Sequence, residues 1–229
     1  MEIFMNLYIV RHGNPDYCRD CLTELGHRQA EACAEEMMSL GIDEIYASSY
    51  GRAKETASHL ADKLGLPVNI EPWAHEVEYY CDNGYGTVTH GVSMDPGILR
   101  SPEMEAFGDR WYDHPAFTEK EKAIEMVETI RGGAEDFCAR LGYKLEGHRF
   151  KVTEKNEKNV ALFCHAGSFL IIAGFLLQLP ELTAWHSFFL YQTGIAWANF
   201  NNYESGYTVP RFLYINKTDH LTKRGLPLT

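Results

Sequence analysis

Two arginines and two histidines stand out in this sequence because each closely follows a stretch that reads as a buried strand. Arg11 and His12 end the apolar run Leu7-Tyr8-Ile9-Val10. Arg52 comes one turn into a helix that follows a strand candidate over Asp43 to Ser48, and His165 ends the run Val160 to Cys164. Ligands of open α/β sheets collect outside the carboxyl ends of the strands, so these four side chains are expected to converge. The chain carries 21 basic and 32 acidic residues, a net charge of −11, which makes such a local concentration of positive charge informative. Guanidinium forks match phosphate oxygens in bidentate geometry. A neutral imidazole can attack phosphorus, and phosphoryl transfer asks mainly for positioning and charge stabilisation. A leaving alkoxide also needs a proton, so a carboxyl group is expected in the same place. Taken singly, each of the four is as easily a surface ion-pair partner or a packed core side chain; it is their joint placement at strand–helix junctions that argues for a site.

The elements that must position them alternate between two periods. After the first strand, Thr23 is placed to cap a helix carrying Ala30, Cys33, Ala34 and Met37 on one face and stopping at Gly41. Ser49 is expected to cap a second helix with Ala53, Ala57, Leu60, Ala61 and Leu64 at helical spacing before Gly65. Thr118-Glu119-Lys120-Glu121 reads as a capping box opening a long helix to Leu141, with Gly132 and Gly133 on its outer face. Residues 143–158 look like a polar hairpin turning at Glu146-Gly147. An apolar helix over 169–178 follows His165, and strands over 195–200 and 212–215 close the chain. Strands alternating with helices predict a three-layer α/β/α fold with a mostly parallel central sheet. No repeat, linker or low-complexity tract divides it, so 1–229 is read as a single domain. Within it 80–117 fits neither period and is rich in aromatics, glycines and acids; it is expected to be a helical and loop insertion over the site, or an aromatic subcore.

Composition excludes other classes. With 45% hydrophobic and 23% charged residues the chain is an ordinary globular one. Its acidic surface argues against nucleic acid and anionic lipid as partners. The longest apolar run, Phe169 to Leu179, is shorter than the about 20 residues of a membrane span, and Met1 to Val10 reads as a strand rather than a signal peptide. Six cysteines are too sparse for a disulfide framework. Cys18 and Cys21 form a C-x-x-C, yet no second pair or nearby histidine pair completes a zinc site. The expected picture is a reduced, cytoplasmic protein that acts on a small phosphorylated substrate and needs neither metal nor cofactor. Nothing in the sequence specifies an oligomeric state.

At Arg11-His12-Gly13 the sequence resembles the histidine phosphatase superfamily, also called phosphoglycerate mutase-like. Leu22-Thr23-Glu24-Leu25-Gly26-His27-Arg28-Gln29-Ala30, Tyr46-Ala47-Ser48-Ser49 with Arg52-Ala53 and Glu55-Thr56-Ala57, and Cys164-His165-Ala166-Gly167 match further blocks of that family in order. The resemblance covers about 1–80 and 159–200. It implies that His12 is the nucleophile that becomes phosphorylated, and that Arg11, Arg52 and His165 surround the phosphoryl group. The general acid is then expected within Trp73-Ala74-His75-Glu76-Val77-Glu78, where position favours Glu76 over Glu78. Asn14, next to the nucleophile's loop, is a further candidate phosphate contact or a residue that holds the turn.

Three functions compete: a phosphomonoester phosphatase, a phosphoglycerate mutase using the same phosphohistidine, and a phosphate-binding module without turnover. The complete set of nucleophile, arginines, second histidine and carboxyls disfavours the third. Mutase members of the family carry a hydroxyl-plus-amide set after Arg-His-Gly, where this chain has Asn14-Pro15-Asp16-Tyr17, which tilts the reading toward a phosphatase. Arg100, Arg110, His90 and His114 in the insertion are possible contacts to a second anionic group, each as readily a solvated loop residue.

Overall fold

A computed structural model of the chain describes residues 4–229; Met1 to Ile3, part of the expected first strand, lie outside the described residues. The first apolar run becomes strand β1 (Phe4–Arg11) near the middle of a six-stranded sheet, whose other strands are β2 (Glu44–Ala47), β3 (Val68–Ile70), β4 (Asn159–Cys164), β5 (Ile195–Asn201) and β6 (Arg211–Lys217). The order is β6-β5-β1-β4-β2-β3. β1, β4, β2 and β3 pair in parallel, and β5 is antiparallel to both its neighbours. This is the mostly parallel α/β sheet expected from the alternation of periods.

Side-chain alternation along β1 divides the core between the two faces of the sheet. Tyr8 and Val10 join Cys33, Ala34 and Met37 of helix α1 (Glu24–Met38) and Ala57, Leu60 and Ala61 of helix α2 (Gly51–Leu64). Leu7 and Ile9 join Val127, Ile130 and Phe137 of helix α3 (Lys120–Arg140) and Phe169, Ile172 and Leu176 of helix α4 (Ala166–Leu177). Each large apolar side chain so buried contributes roughly 1.5–3 kcal/mol. Among the described residues, no helix is long and apolar enough to cross a membrane.

The helix ends differ from expectation in ways that matter for the site. Thr23 does cap α1, its side chain accepting from Gly26 N at 3.1 Å, but α1 ends at Met38, with Ser39 rather than Gly41 as its C-cap. α2 is not capped by Ser49. Its N-cap is Tyr50, which makes no side-chain cap bond, and Gly51 N donates instead to the carboxylate of Asp20 at 2.6 Å. A residue distant in sequence does the capping, so local pattern could not reveal it. The capping box before α3 does not form either: Thr118 N turns back to Ala116 O and the helix starts from Glu119 without a side-chain cap. Gly133 does not lie on an outer face. A Cβ there would come within 2.1 Å of Trp73 Cγ, so this glycine lets the Trp73 indole lie on α3.

The polar hairpin expected over 143–158 is present as strands Tyr143–Glu146 and Arg149–Val152. Residues 80–117 form short pieces, a hairpin of Tyr80–Asp82 with Val88–His90 and several single-turn helices. Cys81, Met94, Leu99, Met104, Trp111 and Phe117 fold into the main core, while Tyr80, Tyr85 and Val88 stay exposed. Trp111 packs edge-on to Phe117 and to Trp185, with ring centroids 4.8 and 4.9 Å apart, which is the aromatic subcore.

Candidate active site

β1 and β4 are hydrogen-bonded neighbours, so the residues that leave their carboxyl ends emerge side by side. Arg11 pairs in register with Cys164, and the next residue, His12, donates its backbone N–H to Cys164 O at 3.0 Å. The His12 and His165 rings consequently lie 5.1 Å apart at 60°. Both imidazoles are fully buried. The His12 Nδ1 lies 2.7 Å from its neighbour's carbonyl, Gly13 O. A carbonyl only accepts, so Nδ1 carries the proton and Nε2 keeps its lone pair. That Nε2 faces Arg52, whose Nε approaches to 3.3 Å.

Burial lowers the pKa of His12 to about 3, with Arg11 and Arg52 adding to the effect against the opposing bond to Gly13. His165 is also held well below the ordinary imidazole value, first by burial and then by His12 and Arg52. Both rings are neutral at physiological pH. Arg11 is lowered too, chiefly by burial, while the Glu76 carboxylate works to restore it.

Further contacts fix the set. Arg11 Nη1 donates to Leu190 O at 2.7 Å. His165 Nε2 meets Ser48 Oγ at 2.8 Å. Gly13 N donates to Thr56 Oγ1, one turn after Arg52 on α2, at 3.0 Å. Glu76 Oε1 accepts from Gly167 N at the start of α4 and from Val77 N, both at 2.9 Å. Ligand atoms of His12, Glu76 and His165 lie within 4.8 Å of one another. Such a trio could hold a cation, but Arg11 and Arg52 border the same space and favour an anion.

The structure thus brings together Arg11, His12, Arg52, Glu76 and His165. It does not bring Asn14 to them in the same way: its Oδ1 accepts from the Thr23 hydroxyl at 2.7 Å, where it holds the turn. Glu78 is exposed and accepts from Tyr50 OH at 3.0 Å. In the insertion, Arg100 reaches Thr183 and Arg110 pairs with Asp113, while His90 lies beside Tyr80 and His114 accepts from Ala116 N.

Sequence reading missed Asp20, Tyr17, Tyr50 and Ser48. The hairpin Pro15–Asp16 with Cys21–Leu22 carries Asp20 onto α2, where its carboxylate ion-pairs with Arg52 Nη1 at 2.5 Å as well as accepting from Gly51 N. A Cβ on Gly51 would fall 1.9 Å from Asp20 O, so only glycine allows the hairpin this close. Tyr17 and Tyr50 place their rings 5.4 and 4.8 Å from the Arg52 guanidinium. Ser48 alone had a legible signal, being the first residue beyond β2.

Two buried neutral imidazoles make stability pH-dependent. The folded state resists protonating them while the unfolded chain does not, so the unfolded state binds more protons below its imidazole value. Stability should therefore fall as pH drops from about 6.5 toward about 3 for His12, and His220, lowered by burial to about 4, acts in the same sense. Each group contributes a slope of up to about 1.4 kcal/mol per pH unit. Urea melts across this range should give a shallower slope for His12→Asn than for wild type; equal slopes would mean that His12 takes up its proton without unfolding.

With this geometry in hand, the relatives are informative. Residues 7–209 match the model of the histidine phosphatase superfamily (branch 1). A probable phosphoglycerate mutase GpmB of Enterobacter sp. (strain 638) is 32% identical over 83 residues, 32% of this chain and 39% of that protein; the match thus spans well under half the length of the curated relatives. Among solved structures, phosphoserine phosphatase from Entamoeba histolytica in complex with 3-phosphoglyceric acid superposes with a TM-score of 0.62 at 22% identity, over 95% of this chain and 99% of that one. Mycobacterial glucosyl-3-phosphoglycerate phosphatase with VO3 gives 0.56 at 19% identity, over 92% and 98%. The fold is that of these phosphatases. The chain belongs to the histidine phosphatase superfamily, branch 1.

Proposed function

We propose that this protein hydrolyses a small phosphomonoester through a phosphohistidine formed on His12. The observation that carries the reading is the placement of His12: its Nδ1 lies 2.7 Å from Gly13 O, which leaves the buried Nε2 facing the Arg52 guanidinium. In the proposed reaction the Nε2 lone pair forms a bond to phosphorus as the ester P–O bond breaks. The departing oxygen takes a proton from Glu76. Arg11, Arg52 and His165 carry the negative charge of the three non-bridging oxygens. Arg11 Nε supports this role, since it is buried without a hydrogen-bond partner, and a phosphoryl oxygen would satisfy it. Water, deprotonated by the Glu76 carboxylate, then takes the phosphoryl group from His12. The insertion 80–117, which follows shortly after Glu76 in the chain, is the proposed substrate-facing wall.

The Asp20 carboxylate already occupies Arg52, so an incoming phosphate must compete with it. Asp20→Asn should tighten competitive inhibition by inorganic phosphate by roughly fivefold, a modest gain because Asp20 is partly solvated. Weaker inhibition in the variant would mean that Asp20 serves instead to hold Arg52 in position.

The mutase alternative is favoured by the local likeness to probable phosphoglycerate mutases, and the phosphatase by Asn14-Pro15-Asp16-Tyr17 after Gly13 and by the solved neighbours named as phosphatases. A mutase must shield its phosphohistidine from water and return the group to a bound acid. Supplying 3-phosphoglycerate with a bisphosphoglycerate primer separates the two. Brisk release of phosphate from some monoester beside slow or absent isomerisation is expected; isomerisation far outrunning phosphate release would reverse the assignment. A site that binds phosphate and turns over no monoester would make the protein a binding module.

A further inference from the structure

α1 and α2 pack against one another, and a second pair of imidazoles meets across them, using none of the groups gathered around His12. His27 Nδ1, in the first turn of α1, lies 3.1 Å from His59 Nε2 on α2. The other nitrogen of each ring faces a carboxylate: His59 Nδ1 is 3.0 Å from Glu31 Oε2, and His27 Nε2 is 3.8 Å from Glu55 Oε2. Those carboxylates are held in turn, Glu31 by Lys63 Nζ at 2.7 Å and Glu55 by the backbone N–H of Leu22 at 2.7 Å. Lys63 first, and then His59, keep Glu31 below the usual carboxylate range, so it is an ionised acceptor.

A carboxylate only accepts, so Glu31 draws the His59 N–H outward to itself, whereas Glu55, at 3.8 Å, stands near the far nitrogen of His27 without a hydrogen bond to it. His59 Nε2 is then left with its lone pair aimed at His27 Nδ1, and the space between the two nitrogens is filled either by a proton on Nδ1 or, with that proton moved to Nε2, by a metal ion. Two nitrogens that each ligate one tetrahedral ion at about 2.0–2.1 Å stand roughly 3.3 Å apart, close to the separation observed. A carboxylate on the far nitrogen of a ligating histidine is the outer arrangement that orients metal-bound imidazoles. Glu24, three residues before His27, lines the same open cavity; of its cationic members, Arg28 and Arg224, the latter is paired with Glu35.

We infer that His27 and His59 form a binding site for a single borderline transition-metal ion, of which Zn²⁺ is the representative, with Glu31 as the orienting partner of His59 and water completing the coordination. Imidazole donors select such ions over Mg²⁺ and Ca²⁺. The bound ion would tie α1 to α2, the helix that carries Arg52.

The test is calorimetric titration of the metal-free protein with Zn²⁺ at about pH 8, where free imidazole is neutral, supported by the visible spectrum of added Co²⁺. Binding that is abolished or at least about tenfold weaker in His27→Gln and in His59→Gln is expected, and about tenfold weaker in Glu31→Gln. It should persist in His12→Ala, which removes the other histidine–carboxylate trio, and in the double variant Cys18→Ser with Cys21→Ser. Zinc should raise the melting temperature of wild type and not of the two glutamine variants; His27, half exposed, keeps the test open should His59→Gln fold poorly. Absence of saturable binding, meaning that the rings merely share a proton, would overturn the inference. Binding that survives both glutamine substitutions, or is lost with His12 or the cysteines, would overturn it as well. None of these outcomes depends on phosphatase activity.

Discussion

Replacing His12 by alanine should reduce phosphomonoester hydrolysis by on the order of 10⁴-fold or more, because the variant has no atom to accept the phosphoryl group. The fold should persist, since β1 is held by its ladders to β4 and β5 and His12 bonds the sheet through its backbone. Wild type quenched during turnover should carry an adduct labile in mild acid and stable in base, as a phosphoramidate is, and the variant should carry none. The expected site of attachment is Nε2, because Nδ1 is engaged by Gly13 O. Full activity in His12→Ala would end the proposed mechanism, and an adduct on another residue would move the nucleophile.

Glu76→Gln should cost about 10²–10³-fold on alkyl phosphates, within the range removed with a general acid, and much less on an aryl phosphate whose leaving group needs little help from a proton. Glutamine keeps an oxygen to accept from Gly167 and Val77 N–H, so the geometry is conserved while the transferable proton is lost. The contrast between the two substrates is therefore the diagnostic, more than the size of either loss. Equal losses would indicate that the substitution disturbs the start of α4 rather than proton transfer. Glu78→Gln should change neither rate strongly, because that carboxylate is exposed and is occupied by Tyr50.

Much of this arrangement was readable before any coordinates. Apolar runs of β1 and β4 end in Arg11-His12 and His165, and the period-2 and period-3.6 patterns are strong enough to assign a parallel α/β sheet with helices on both faces. Local chemistry determines those features: a strand that alternates between two buried faces, a threonine that caps α1, a glycine at φ +66 that ends α2. What lay beyond the sequence depends on contacts between distant segments. Asp20 caps α2 and holds Arg52 across 32 positions, so its type and spacing carry no period. That Glu76 lies beside His12 and His165 goes with its contact to Gly167 N, which spans 91 positions. Asn14 follows His12 closely in sequence, yet its oxygen is taken by Thr23. Gly133 looks like a helix defect until Trp73 is set against it. Periodicity is a property of one element and survives in the sequence; closure of a site between elements is decided only when the sheet brings their ends together.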